Sequence, residues 1–126
     1  MAALLRLVPL PVHKGNRGDL ISLERWDPLP FEPKRAFLLK NVPAGEVRGA
    51  HAVSSDEFLV LVSGQCRVTV RSKDCQDRYC LDDLGMGMFV PAGIWLKLDQ
   101  FSKDASVLVL CSAQYANTVY HSEPQI

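Results

Sequence analysis

An excess of charge of either sign is what this sequence most plainly lacks. Its 126 residues carry fourteen Lys and Arg against fourteen Asp and Glu. That balance argues against a general electrostatic grip on nucleic acid or an anionic membrane surface, and it leaves room for a few arginines around one phosphate-bearing ligand. Histidine is scarce as well, limited to His13, His51 and His121. The four cysteines, Cys66, Cys75, Cys80 and Cys111, include no CxxC pair and have no histidine beside them, which excludes the usual zinc spacing. Cys66 and Cys111 sit in apolar runs and read as small core hydrophobes. The apolar stretch MAALLRLVPLPV (1–12) is too short to span a bilayer, is broken by Pro9 and Pro11, and holds one basic residue with no clear cleavage site after it. A cytoplasmic protein in a reducing compartment is the expectation. No internal repeat or low-complexity run is visible.

What the sequence does have is a hydrophobic share of 48%, enough for a core, in a length that suits one domain spanning 1–126. Residues 3–12 alternate loosely, with prolines that restrict them to an edge strand. HKGNRGD (13–19) is turn-rich, DLISLERW (19–26) alternates as a strand does, and DPLPFEPK (27–34) has too many prolines for a helix or a central strand. RAFLLKNV (35–42), RGAHAV (48–53), EFLVLVSG (57–64), QCRVTVRS (65–72), GMGMFVPAG (85–93), IWLKLDQF (94–101) and SVLVLCSA (106–113) read as further strands. In the QCRVTVRS segment, Cys66, Val68 and Val70 share one face, while Arg67, Thr69 and Arg71 share the other, read as a solvated outer face. The tail, 114–126, is polar and expected to be partly ordered. Roughly nine or ten short strands without a helix predict an all-β sandwich or barrel.

Two spacings choose within that class. His51, one residue, Val53, three residues, Glu57, six residues and Gly64 follow the first cupin motif, HxH–x(3,4)–E–x(6)–G, with valine at its second histidine. Gly85, five residues, Pro91, one residue, Gly93, two residues and Leu96 follow the second motif, with leucine at its histidine. The chain thus resembles a cupin-type jelly-roll barrel in one domain. The resemblance implies a metal site of three histidines and a glutamate, of which this chain retains only His51 and Glu57. Two protein ligands make a weak site, so no metal and no cofactor are expected.

The phrases NRGDL (16–20), PFEPKRAF (30–37), RGAHA (48–52), PAGIW (91–95) and SAQYANTVYH (112–121) add a narrower resemblance. In order and spacing they are similar to the WxcM-like sugar 3,4-ketoisomerases, over residues 7 to 121. Membership implies a metal-free cupin that moves the ketone of a dTDP-linked 4-keto-6-deoxyhexose from C4 to C3 through an enediol. It also implies a homodimer in which an N-terminal strand, here 3–12, crosses to the neighbour. The family segment reads RGxHAH. Arg48, Gly49 and His51 match it, Val53 does not, and Phe37 stands where a tyrosine is usual. Positions 51 and 53 face the same way on a strand, so the missing imidazole is lost from the pocket itself.

His51 is therefore the candidate acid/base, since imidazole titrates near neutrality. Arg17 and Arg48 are the candidates for placing the substrate, because a guanidinium fork bonds two phosphate oxygens at once. Glu57, Trp95 and Tyr115 complete the candidate binding set, the aromatics by stacking on base or sugar. Each has a purely structural alternative: a core histidine, solvated arginines, a hairpin-edge carboxylate and packed aromatics. The alternative function is a non-catalytic sugar-nucleotide-binding cupin that has lost a catalytic histidine.

Overall fold

The computed structural model describes residues 4–126 and is built almost entirely of strands. One five-stranded antiparallel sheet has the order β1 (Arg6–Pro9), β11 (Met86–Val90), β8 (Glu57–Ser63), β13 (Ser106–Cys111), β6 (Arg35–Lys40). The second has the order β10 (Gln76–Leu81), β9 (Cys66–Arg71), β12 (Trp95–Asp99), β7 (Arg48–Val53), β14 (Tyr120–His121). Consecutive strands such as β8 and β9 lie in different sheets, so the chain repeatedly crosses between layers, as it does in a jelly roll. The segment between β1 and β6 forms a hairpin, β2 (Val12–Gly15) with β3 (Gly18–Ile21), and a short parallel pair, β4 (Glu24–Arg25) with β5 (Pro28–Leu29). The strand expected over 19–26 is thus divided between two small elements.

The two sheets enclose the main core. Cys66, Val68 and Val70 of β9 face Leu59, Leu61, Val107 and Val109 across it, as the alternation in QCRVTVRS required. The first sheet is apolar on its outer face too, where Phe58, Val60 and Leu110 pack under Leu10, Leu29 and Phe31. That second layer explains the uninterrupted apolar run of β8, because successive residues enter different cores and none of Phe58 to Leu61 meets water. The proline-rich stretch contributes Leu29 and Phe31 as the cover.

Three expectations need correction. β1 pairs with β11 of its own chain over Arg6–Pro9, and Pro11 separates it from β2, so 3–12 is not one strand; residue 3 lies outside the described residues. The tail is ordered by specific contacts. It forms a 3₁₀ turn at Tyr115–Asn117 and then β14, and it closes with Gln125 N–H donating to the Gly93 carbonyl and Lys73 N–H to the Ile126 carbonyl. Composition alone could not reveal these partners, which lie far off in sequence. Arg67 and Arg71 do sit on the outer face, but they are not simply solvated. Arg67 makes a bidentate pair with buried Asp99 at 2.9 and 2.8 Å, and Arg71 lies 4.2 Å over the Trp95 ring.

A bulge in β7 matters for the site. Leu96 pairs with His51 while Lys97 pairs with Gly49, which leaves Ala50 without a partner. Gly49 and Ala50 both take positive φ, 78° and 62°. A Cβ on Gly49 would come within 2.8 Å of the Leu96 carbonyl oxygen, so glycine is required there by crowding as well as by φ. Arg48 and His51 are three residues apart and would face opposite sides of a regular strand. The extra residue turns both toward the interior.

Candidate active site

A cavity of about 480 Å³ opens at one end of the barrel, between the two sheets. Its walls include Arg35 and Phe37 of β6, Glu57 of β8 and Cys111 of β13 on one side, facing Arg48, His51 and Val53 of β7, with Leu96 and Leu98 of β12, on the other. Tyr115 and Tyr120, from the tail, line it too. Strand parity produces this arrangement. Arg35 and Phe37 alternate inward with outward Ala36, and Val53 is directly opposite Tyr120 on β14.

On the first sheet, Arg35, Cys111 and Glu57 form a row across three adjacent strands, since Cys111 pairs with Arg35 on one side and with Glu57 on the other. Directly opposed residues in an antiparallel pair put their side chains within reach of one another. The Cys111 thiol donates to Glu57 Oε2 at 3.9 Å. Desolvation by burial pushes the Glu57 carboxyl up to about 7, with the positive charge of Arg35 and the thiol hydrogen bond pulling the other way. Cys111 itself is pushed up to about 11, mainly by burial and next by the Glu57 charge. Arg35 is held among aromatics, 4.7 Å from the Phe37 ring centre and 4.9 Å from that of Tyr115, and its Nη1 donates to the Tyr120 hydroxyl at 3.3 Å.

Across the cavity, half-buried His51 meets the Tyr120 ring edge to face, 4.9 Å between centres. Burial lowers the His51 pKa below 6.5, favouring the neutral imidazole. Chemically, the pocket offers a neutral imidazole, a carboxyl that titrates near neutrality, two phenols and two guanidinium groups, with Ser55, Thr118 and Cys111 also set in a largely apolar wall. Among the described residues no three His, Cys, Asp or Glu side chains converge on a point that could hold a metal ion.

Of the residues picked from the sequence, the cavity brings together His51, Arg48, Glu57 and Tyr115. Two lie elsewhere. Trp95 pairs with Ala52 and Arg71 and points to the outer face; Leu96 faces inward, so its neighbour cannot. Arg17 sits at the exposed tip of the β2–β3 hairpin, away from the cavity residues of its own chain. Arg35, Cys111 and Tyr120 were not singled out, although Arg35 and Tyr120 fall inside the phrases PFEPKRAF and SAQYANTVYH.

Fold and pocket together define a cupin-type jelly-roll barrel whose cavity carries acid–base groups in place of a histidine-rich metal set. The family described as "FdtA: WxcM-like, C-terminal" matches residues 4–125, and the chain belongs to it. A curated relative, the TDP-4-oxo-6-deoxy-alpha-D-glucose-3,4-oxoisomerase of Aneurinibacillus thermoaerophilus, is 31% identical over 106 residues, 83% of this chain and 76% of that protein. The solved structure of the WlaRB TDP-quinovose 3,4-ketoisomerase from Campylobacter jejuni superposes with a TM-score of 0.89 at 29% identity, covering 94% of this chain and 92% of that one. A 3,4-ketoisomerase from Helicobacter canadensis gives 0.85 at 27% identity, covering 91% and 89%.

Proposed function

We infer that the chain is a sugar 3,4-ketoisomerase that moves the ketone of a TDP-linked 4-keto-6-deoxyhexose from C4 to C3 without a metal, with His51 as the group that moves the proton between the two carbons. The observation that carries this reading is His51 itself, kept in the RGxHA phrase of the family and set in a cavity beside cationic and titratable partners. The reaction needs a base at C3, an acid, and stabilisation of enediol oxygens. A neutral imidazole is the form that can take the C3 proton, and burial favours that form. Arg48, at the rim, is suited to the diphosphate of the carrier. A cytoplasmic setting agrees with four unpaired cysteines.

Incubation of the protein with a TDP-4-keto-6-deoxyhexose in heavy water is expected to give the 3-keto isomer, with deuterium at C4 to the extent that the proton held on His51 exchanges with solvent before it is delivered. TDP binding by calorimetry, with neither product nor exchange, would instead establish the non-catalytic binding module.

The proposal extends to a homodimer. Leu7, Leu20, Ile21 and Trp26 are large, exposed and gathered in the N-terminal segment, and water is an unfavourable partner for them. A second copy covering that segment would also bring another Arg17 into play. Size-exclusion chromatography with light scattering at micromolar concentration is expected to return twice the chain mass; a monomer mass would sink the dimer.

A further inference from the structure

We propose that Glu57 is a second catalytic residue, the acid that serves the two sugar oxygens while His51 serves the two carbons. This rests on the ketoisomerase reading. Position 53, directly beside His51 on the same wall, is valine and cannot carry a proton. A ketone shift between adjacent carbons requires four proton movements, two at carbon and two at oxygen. One group can return to carbon what it took from carbon, but a second must give to one oxygen and take from the other.

Glu57 meets the requirement on several independent grounds. It lines the same cavity as His51, from the opposite sheet. It sits at the end of the Arg35–Cys111–Glu57 row, where a thiol fixes one carboxyl oxygen and leaves the other free. The charged and titratable groups that share the cavity with it are Cys111 on β13, Arg35 on β6, His51 and Arg48 on β7, and Tyr115 and Tyr120 of the tail. Burial holds its proton up to about 7, while burial lowers the affinity of His51 for its own. The usual order of the two groups is therefore reversed. Between the two titrations the pocket contains a neutral base and a protonated acid together, which is the pair the chemistry starts from.

The steps balance. Neutral His51 takes the C3 proton; the C–H pair becomes the C3–C4 double bond, and the C4 carbonyl pair moves onto O4, which takes the proton of Glu57. The Glu57 carboxylate then takes the proton of the C3 hydroxyl, whose O–H pair becomes the new C3 carbonyl. The double-bond pair takes the proton from His51 onto C4. Both side chains end as they began. Arg35 and Tyr120, joined to each other, stand where developing negative charge on the enediol can be met.

The test compares the unaltered protein with Glu57→Gln and Cys111→Val, using a TDP-4-keto-6-deoxyhexose as substrate and TDP as the binding probe. Glu57→Gln is expected to bind TDP as the parent does, to lose about 10²- to 10⁴-fold in kcat, and to lose the fall in activity above pH 7. Cys111→Val removes a hydrogen bond that favours the carboxylate, so the alkaline limb should move to higher pH. Glu57→Gln turning over within about threefold of the parent, with the limb intact, overturns the proposal. If Glu57→Gln does not fold, Cys111→Val decides it, and an unmoved limb is the overturning result. A parent protein with no product and no exchange overturns the ketoisomerase reading as well, which separates the two failures.

Discussion

Replacing His51 by glutamine is expected to reduce turnover by about 10²- to 10⁴-fold while TDP binding stays near its parental value. The amide reaches a similar distance and keeps hydrogen-bonding capacity, but it cannot accept a proton from carbon near neutral pH. The edge-to-face contact with Tyr120 is the packing at risk, and it lies at the cavity wall rather than in the core between the sheets. Single-turnover rates and calorimetry with TDP check the two halves of this expectation. In the parent, activity should fall at acid pH. The His51 pKa lies below 6.5, the neutral form is the active one, and protonation as the pH drops through that value removes the base. The glutamine variant should lose this acid limb. A variant that keeps parental turnover would remove His51 from the chemistry.

The second large effect is expected from Arg35→Gln, with kcat/KM falling by about 10²- to 10³-fold. Its guanidinium is a cation held among the Phe37 and Tyr115 rings and joined to the Tyr120 hydroxyl. It faces the carboxyl of Glu57 across Cys111. Removing the charge takes away stabilisation of enediolate oxygen. It also removes an attraction that favours ionised Glu57, so the alkaline limb should shift upward from about 7. Kinetics across pH measures both effects at once. A loss confined to KM with the limb unmoved would assign Arg35 to carrier binding alone.

Much of this was legible in the sequence. The first cupin spacing led to His51, which lies on β7, and to Glu57 and Gly64, at the two ends of β8, and alternation placed Cys66, Val68 and Val70 in the core. The row Arg35–Cys111–Glu57 could not be read in the same way. Its members are separated by dozens of residues and meet only because β6, β13 and β8 are neighbours in one sheet, a matter of topology. Tyr120 escaped for a related reason: a two-residue strand in a polar tail gives no periodic signal, and only its pairing with Val53 gives it a direction. Trp95 was a readable miss. Leu96 occupies a motif position that must face inward, and the two-residue period then assigns Trp95 to the outside. Arg17 differs again, because it is exposed in the turn between β2 and β3 and is not among the residues that line its own chain's cavity, and no local pattern specifies what it meets.

The bulge at Ala50 has a consequence for how this pocket could be altered. Side chains upstream of it on β7 owe their destination to a count, not to their chemistry. Drawing Ala50 into the ladder, with no residue lost, would leave His51 and Val53 where they are and send Arg48 to the opposite side of the layer, exchanging a cationic rim for whatever its neighbour carries. A change that flattened the bulge could thus alter which anion the mouth of the barrel attracts without touching His51, whereas deleting Ala50 outright would keep Arg48 and His51 on one face. The strand behaves there as a two-position selector, set by whether the extra residue is bulged or paired.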